Sequence, residues 1–255
     1  GEGRACRGQR WGGGGGSAAQ GGSLVADAVG VGAGGLGAGA VPYGASSGVG
    51  RMTTCDGDRV DLANLQRQVV HRVDSAGQPK AASAAATLAG INPDIRIEPL
   101  EERAGPERLM ALARSADVVL DCSDTFATRH ALNRACVAAR KPLVSGAAIR
   151  FDGQVAVFAL PLHGAPCYHC LFAEGDDLEE MRCAIMGVFA PLVGIIGAAQ
   201  AAEALKLLSA AGDSLAGRLL MLDALAMEWR EVRVRKDPAF AVCGPRPAGS
   251  PRDAG

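Results

Sequence analysis

The sequence has almost no net charge: 26 Lys and Arg stand against 27 Asp and Glu, a formal balance of −1. The missing basic excess argues against a general nucleic-acid binder and against a polybasic membrane anchor. No basic region followed by an apolar run opens the chain, so no secretory leader is expected. Nor is there a long unbroken hydrophobic run. The most apolar stretch, residues 187–208, is interrupted by Gln200, Glu203 and Lys206, which favours a buried core helix over a membrane span. No internal repeat is apparent. The eight cysteines lack the spacing of a small secreted disulfide scaffold. A reducing, cytoplasmic setting is expected, with thiols available for a metal or for chemistry.

What is present is 255 residues with 48% apolar, enough for one large domain or two small ones with a sizeable core. Residues 1–23 are glycine-rich, with five consecutive glycines after Trp11, and are expected to be a disordered tail. The tail 245–255 is rich in Pro, Gly and Arg and should be loose. Between them, residues 24–244 read as a single unit with two halves, 24–147 and 148–244. In the first half strands are expected at 24–31, 51–55, 95–97, 118–120 and 142–144, and helices at 38–47, 80–89, 106–114 and 125–140. This alternation predicts an α/β, Rossmann-like, doubly wound and mainly parallel sheet. The first helix is locally weak, because Gly39, Pro42 and Gly44 all lower its propensity. After Gly146 the pattern changes to a strand at 153–160, an irregular stretch at 166–180, an apolar helix at 191–208, and strands at 218–222 and 228–235. These should extend the same sheet with antiparallel strands.

The densest polar stretch is residues 56–80, DGDRVDLANLQRQVVHRVDSAGQPK, directly after a short strand. Upstream lies the turn Gly32-Ala33-Gly34-Gly35-Leu36-Gly37. Together they read as a nucleotide site: glycines that let phosphates approach, Asp56 for a ribose, and Arg67 and Lys80 as cations for a polyphosphate. Asn64 and Gln68 crowd the same segment. The glycine pattern alone is a weak signal in so glycine-rich a chain. With Asp56 it would also suit an NAD-dependent oxidoreductase, a reading that leaves Arg67, Lys80 and Asp124 without a purpose. The strand at 118–120 delivers Asp121-Cys122-Ser123-Asp124-Thr125 to the carboxyl edge of the sheet. Cys55, Cys122 and Cys136 fall on apolar elements and are expected in the core. His71 is expected to pack or hydrogen-bond rather than act as a base, and Arg129 and Arg150 to be surface or ion-pair arginines.

Five blocks taken in order carry a resemblance: residues 56–80, the DCSDT turn, LVSGAAIRFDGQVAVF, the C-x-x-C pair Cys167-Tyr168-His169-Cys170, and APLVGIIGAAQAAEALK. The sequence resembles, over roughly residues 30–244, the HesA/MoeB/ThiF family of ubiquitin-activating-enzyme-like adenylyltransferases. The resemblance implies ATP and Mg²⁺ as cofactors. It implies as partner a ubiquitin-like sulfur-carrier protein of molybdopterin or thiamine biosynthesis, whose C-terminal Gly-Gly carboxylate attacks the α-phosphate and expels pyrophosphate. By motif position, Gly32, Gly34 and Gly35 would lie against the phosphates, and Asp56 would hold the ribose hydroxyls. Asn64, Arg67, Gln68 and Lys80 would serve the nucleotide, and Asp124 would hold Mg²⁺ beside Thr125, unless Asp124 is merely an N-cap. The family carries two C-x-x-C pairs, but here Phe240 stands where the second pair begins. Cys167, Cys170 and Cys243 remain as a three-thiol set for zinc, with a weakened site, a water-completed site and no zinc all open; His169 is poorly placed to close a tetrahedron. Cys183 sits where some members carry a thiol that joins the activated partner. The resemblance also implies a homodimer and an arginine-rich N-terminal helix, yet Arg4, Arg7 and Arg10 have no amphipathic helix around them. A scaffold that binds nucleotide and partner without catalysis is the alternative. No sulfurtransferase domain follows Gly255, so sulfur is expected from elsewhere.

Overall fold

The computed structural model describes residues 26–160, 165–174, 187–237 and 242–244. Eight strands form one sheet: β1 (Asp27–Val31), β2 (Arg51–Cys55), β3 (Arg96–Leu100), β4 (Val118–Asp121), β5 (Leu143–Ile149), β6 (Asp152–Phe158), β7 (Arg218–Asp223) and β8 (Glu228–Arg233). Their spatial order is β3-β2-β1-β4-β5-β6-β7-β8. The first five are parallel, and β6, β7 and β8 add on antiparallel. The doubly wound sheet with an antiparallel extension is therefore as expected. β4 is a run of four fully buried residues, VVLD, as a central parallel strand requires when both faces are covered.

Among the described residues five α-helices cover the faces: α1 (Gly35–Ser46), α2 (Lys80–Ile91), α3 (Pro106–Ser115), α4 (Phe126–Ala139) and α5 (Ala190–Ser209). Residues of α1, α2 and α5 share one apolar cluster with Val118, Leu120 and Val144. Residues of α3 and α4 share the other with Val119, Leu143 and Phe158. Chain order reverses between β1 and β4, the kind of switch point at whose carboxyl ends such sheets bind ligands in a crevice.

Several boundaries differ from the sequence-based expectation; β3, for example, runs on to Leu100 instead of ending at 97, because it pairs with β2 along its whole length. α1 begins at Gly35 rather than at residue 38, because the last residues of the glycine turn already form its first turn. β5 runs seven residues to Ile149 instead of ending at 144, because every residue of it is paired with β6. β8 stops at Arg233, two residues short of the expected end. Both tails lie outside the described residues.

The weak propensity of α1 is overruled by packing. Gly35 and Gly39 lie where it crosses α5, against Val193 and Gly194, and a Cβ built on Gly197 of α5 would stand 2.3 Å from the Leu36 carbonyl oxygen. Two backbones can meet this closely only without side chains between them. α5 is long and apolar enough to cross a membrane by length and composition. Its polar residues show it to be a core helix: Gln200 is fully buried and donates to the Asp121 carbonyl at 2.7 Å, and Glu203 accepts the Leu215 amide at 2.7 Å. Gly197→Ala is expected to cost about 2 kcal/mol or more through overpacking, read as a lowered urea midpoint with unchanged m-value.

Candidate functional site

β1 is followed by Gly32, whose φ of +99° is open to glycine at little cost. A Cβ there would also sit 2.5 Å from the Cys122 carbonyl oxygen, so the β1 turn lies directly on the turn after β4. The chain then enters α1 through Gly34, an N-cap with no side-chain hydrogen bond. The first amides of α1 therefore have no capping side chain, the condition that lets a helix start receive an anion.

Asp56, at the end of β2, holds this turn in place. One carboxylate oxygen accepts the Ala33 amide at 2.7 Å, and the other accepts the Asp58 amide at 2.8 Å. Lys80 opens α2 and is buried, with its ammonium 3.4 Å from Asp58. Asp58 is also bound by Arg103 at 2.7 Å, and that hydrogen bond, against a smaller cost of burial, holds its carboxyl below the usual range. Arg67 donates to Asn64 Oδ1 at 2.9 Å from the short helical turn Leu62–Asn64, which Asp61 caps through the Ala63 amide. Gln68 is buried against Gly34, and among the described residues its Oε1 has no hydrogen-bond partner. His71 is a hydrogen-bonding residue, as expected, joined to Ala33 and Ser83.

Across the crevice, β4 delivers Asp121 to a fully buried position. Its carboxylate accepts from the Ser123 amide at 3.1 Å, Ser123 Oγ at 2.6 Å and Ser145 Oγ at 2.8 Å. Arg129 is buried too, contrary to the surface role expected for it, and donates to the Ser123 carbonyl at 2.9 Å. The DCSDT turn is thus held from both sides. Thr125, not Asp124, is the N-cap of α4, accepting the Thr128 amide at 3.3 Å. The capping alternative for Asp124 is therefore replaced: its side chain is exposed, in electrostatic range of Arg103 and Arg129. Sequence reasoning missed Asp121, Ser145 and Gln200. The available signal was an acid closing the wholly apolar run VVL; the partners of Gln200 are far away in the chain and left no local trace.

The three thiols come together. Cys167 and Cys170 Sγ are 3.9 Å apart, and Cys170 and Cys243 Sγ are 3.4 Å apart. Three sulfurs on one zinc would stand about 3.8 Å apart at ordinary Zn–S lengths, so the donor set fits that ion. Burial works to raise the Cys170 thiol, but the Asp237 and Cys167 amides and the neighbouring thiols outweigh it and hold it low; burial pushes Cys243 up to about 12. His169 is not a fourth donor. Asn133 Oδ1 accepts the Tyr168 amide at 2.9 Å, so the Asn133 NH₂ must face His169 Nδ1, at 2.8 Å. That nitrogen is an acceptor, the ring proton sits on Nε2, and Nε2 points to Glu174 at 3.2 Å. The same proton count argues against a metal between His130, His169 and Glu174, whose ligand atoms lie within 4.8 Å of one another. A metal-bound histidine turns its other nitrogen toward an acceptor, and here that place is taken by a donor. Cys183, Phe240 and Arg4, Arg7 and Arg10 lie outside the described residues.

A glycine turn, an acid after β2, a buried lysine and an acidic turn after β4 stand together in a doubly wound α/β domain of Rossmann type. A family model described as the ThiF family matches residues 26–243, and the chain belongs to that family. It is 46% identical over 214 residues to the molybdopterin-synthase adenylyltransferase of Escherichia coli (strain K12), covering 84% of this chain and 85% of the relative. It is 45% identical over 226 residues to the sulfur carrier protein adenylyltransferase of Thermus thermophilus, covering 87% and 83%. Among solved structures, E. coli MccB with AMPCPP and MccA superposes with a TM-score of 0.79 at 21% identity, covering 89% of this chain and 69% of that one; that likeness concerns the fold alone.

His71 and His130 are both held below the ordinary histidine value of 6.5, in each case chiefly by burial. The folded state refuses protons that the unfolded chain accepts. Stability is therefore complete above pH 6.5, falls as pH drops through that value, and levels off below the folded values. Urea unfolding between about pH 7.5 and 5 should show this loss, and His130→Asn should remove the part of it that His130 contributes.

Proposed function

We propose that this chain adenylylates the C-terminal glycine of a ubiquitin-like sulfur-carrier protein at the expense of ATP. The observation that carries the reading is the meeting of the Gly32 turn, Asp56, Lys80 and Asp124 at one crevice, in a chain of the ThiF family. The two curated relatives named above are adenylyltransferases by name, one of molybdopterin synthase and one of a sulfur carrier protein. Their names bear on the class of reaction and not on which carrier this chain serves.

The roles follow from the side chains. The carrier carboxylate attacks the α-phosphorus; a C–O–P bond forms, the bond from the α-phosphorus to the bridging oxygen breaks, and pyrophosphate leaves with the electron pair. The start of α1 and the Lys80 ammonium would receive the phosphates, and Arg67 would add charge to the leaving group. Asp56 would accept from the ribose hydroxyls with the lone pairs its two backbone amides leave over. Asp124, the exposed carboxylate of the acidic turn, would hold a magnesium ion, which when bound neutralises charge on the phosphates. Ser123 and Arg129 fix the turn that presents it. Zinc on Cys167, Cys170 and Cys243 would be structural, because the thiols join the turn after residue 165 to the end of the described chain.

ATP–pyrophosphate exchange with purified carriers tests this reading. Exchange with a molybdopterin-type or a thiamine-type carrier is expected, with a fall of about 100-fold or more in Asp124→Ala. Nucleotide binding without exchange to either carrier would instead favour the non-catalytic scaffold. For the metal, elemental analysis is expected to find about one zinc per chain, lost in Cys170→Ser together with several degrees of melting temperature. A metal-free protein of unchanged stability would remove zinc from the account.

A further inference from the structure

His71 touches two parts of the crevice that are separate in sequence. Its Nε2 donates to the Ala33 carbonyl at 2.9 Å, and its Nδ1 lies 3.0 Å from Ser83 Oγ. Ala33 is the second residue of the glycine turn, and its amide is already held at 2.7 Å by Asp56. One residue of the turn is thus gripped at both polar ends, by a carboxylate from β2 and by an imidazole from the loop that follows. Ser83 lies one helical turn after Lys80 on the same helix, and its hydroxyl also lies 3.0 Å from Ser75 Oγ, whose own proton goes to the Arg72 carbonyl, so the Ser83 proton is shared between Ser75 and His71 Nδ1. The histidine is therefore a strut between the glycine turn and the helix that carries the lysine.

The proton arrangement fits a strut with a direction. A carbonyl can only accept, so the proton of the neutral ring is on Nε2, and the Nδ1 lone pair is left to take the Ser83 hydroxyl. Burial favours that neutral form. The ring is buried and faces away from solvent, so it acts on a ligand only through Ala33 and Ser83.

We propose that His71 is a positioning residue for the nucleotide: it sets the separation of the glycine turn from Lys80, so that a polyphosphate can engage both together. The proposal rests on the nucleotide reading of the crevice. It makes a specific demand on chemistry. The donor at Nε2 matters, and an apolar ring of similar size cannot replace it; a glutamine, which places an N–H near the same point, can.

The test compares the parent protein with His71→Phe, His71→Gln and Ser83→Ala. ATP affinity is measured by titration calorimetry, and the KM values for ATP and for the carrier by pyrophosphate exchange. His71→Phe is expected to weaken ATP roughly tenfold in both Kd and KM, the effect of one lost buried hydrogen bond, with kcat and the carrier KM within about twofold of the parent. His71→Gln should recover most of the loss, and Ser83→Ala should fall between. A folded His71→Phe that binds ATP as the parent does would overturn the proposal, as would a His71→Gln no better than His71→Phe. Should His71→Phe fail to fold, parental ATP affinity in Ser83→Ala overturns it and a several-fold loss supports it. A parent protein that binds no ATP would overturn the nucleotide reading itself, and calorimetry shows that before any variant is compared.

Discussion

The close approach of Gly32 to the Cys122 carbonyl is the constraint on which the rest of the structure depends. The two turns after β1 and β4 lie in contact, and no side chain fits between them. That contact brings the glycine turn, which starts α1, to the DCSDT turn, which starts α4. Asp56 holds the same glycine turn through the Ala33 amide. Around it the polar groups hold backbone more than they hold each other. Asp56 takes two amides, Gln200 gives to two carbonyls, Arg129 caps a third, and Asp121 collects one amide and two hydroxyls. A crevice built this way is rigid before a ligand arrives, so little ordering remains to be done on binding.

Much of this was legible in the sequence. The strand and helix alternation before Gly146, and Asp56, Lys80 and Asp124 at element ends, follow from hydrophobic period and turn chemistry. These are local signals. The length of β5 was not legible, because it is set by its partner β6 and not by its own residues. Nor was the reason for the glycines of α1: a helix that reads as weak along the chain is required to be thin by another helix more than 150 residues away. Asp121, Ser145 and Gln200 form a buried polar set whose members come from β4, β5 and α5, and only the fold reveals that they meet. The thiols show the opposite case. Their chemistry was plain from residue type, while their meeting needed Cys243 to return beside Cys170.

The buried arginine belongs to the same logic. Desolvation alone would count against a guanidinium in this position, yet Asp121 lies near enough to favour its charged form, and the Ser123 carbonyl takes one of its protons. An isolated charge would not survive such burial; a charge that holds a turn does. Replacing it by an apolar residue would remove a cost and also the fixed orientation of the turn.

The amide of Asn133 has a consequence for how this fold can change over evolutionary time. It dictates which nitrogen of His169 carries the proton, and by that one choice Nε2 faces Glu174 as a protonated nitrogen and not as a ligand atom. A carboxylate at the same position would still accept the Tyr168 amide but would draw the ring proton to Nδ1, turning the Nε2 lone pair toward Glu174 and His130. A single change at the codon for Asn133 therefore decides whether Nε2 faces Glu174 as a donor or as a ligand atom.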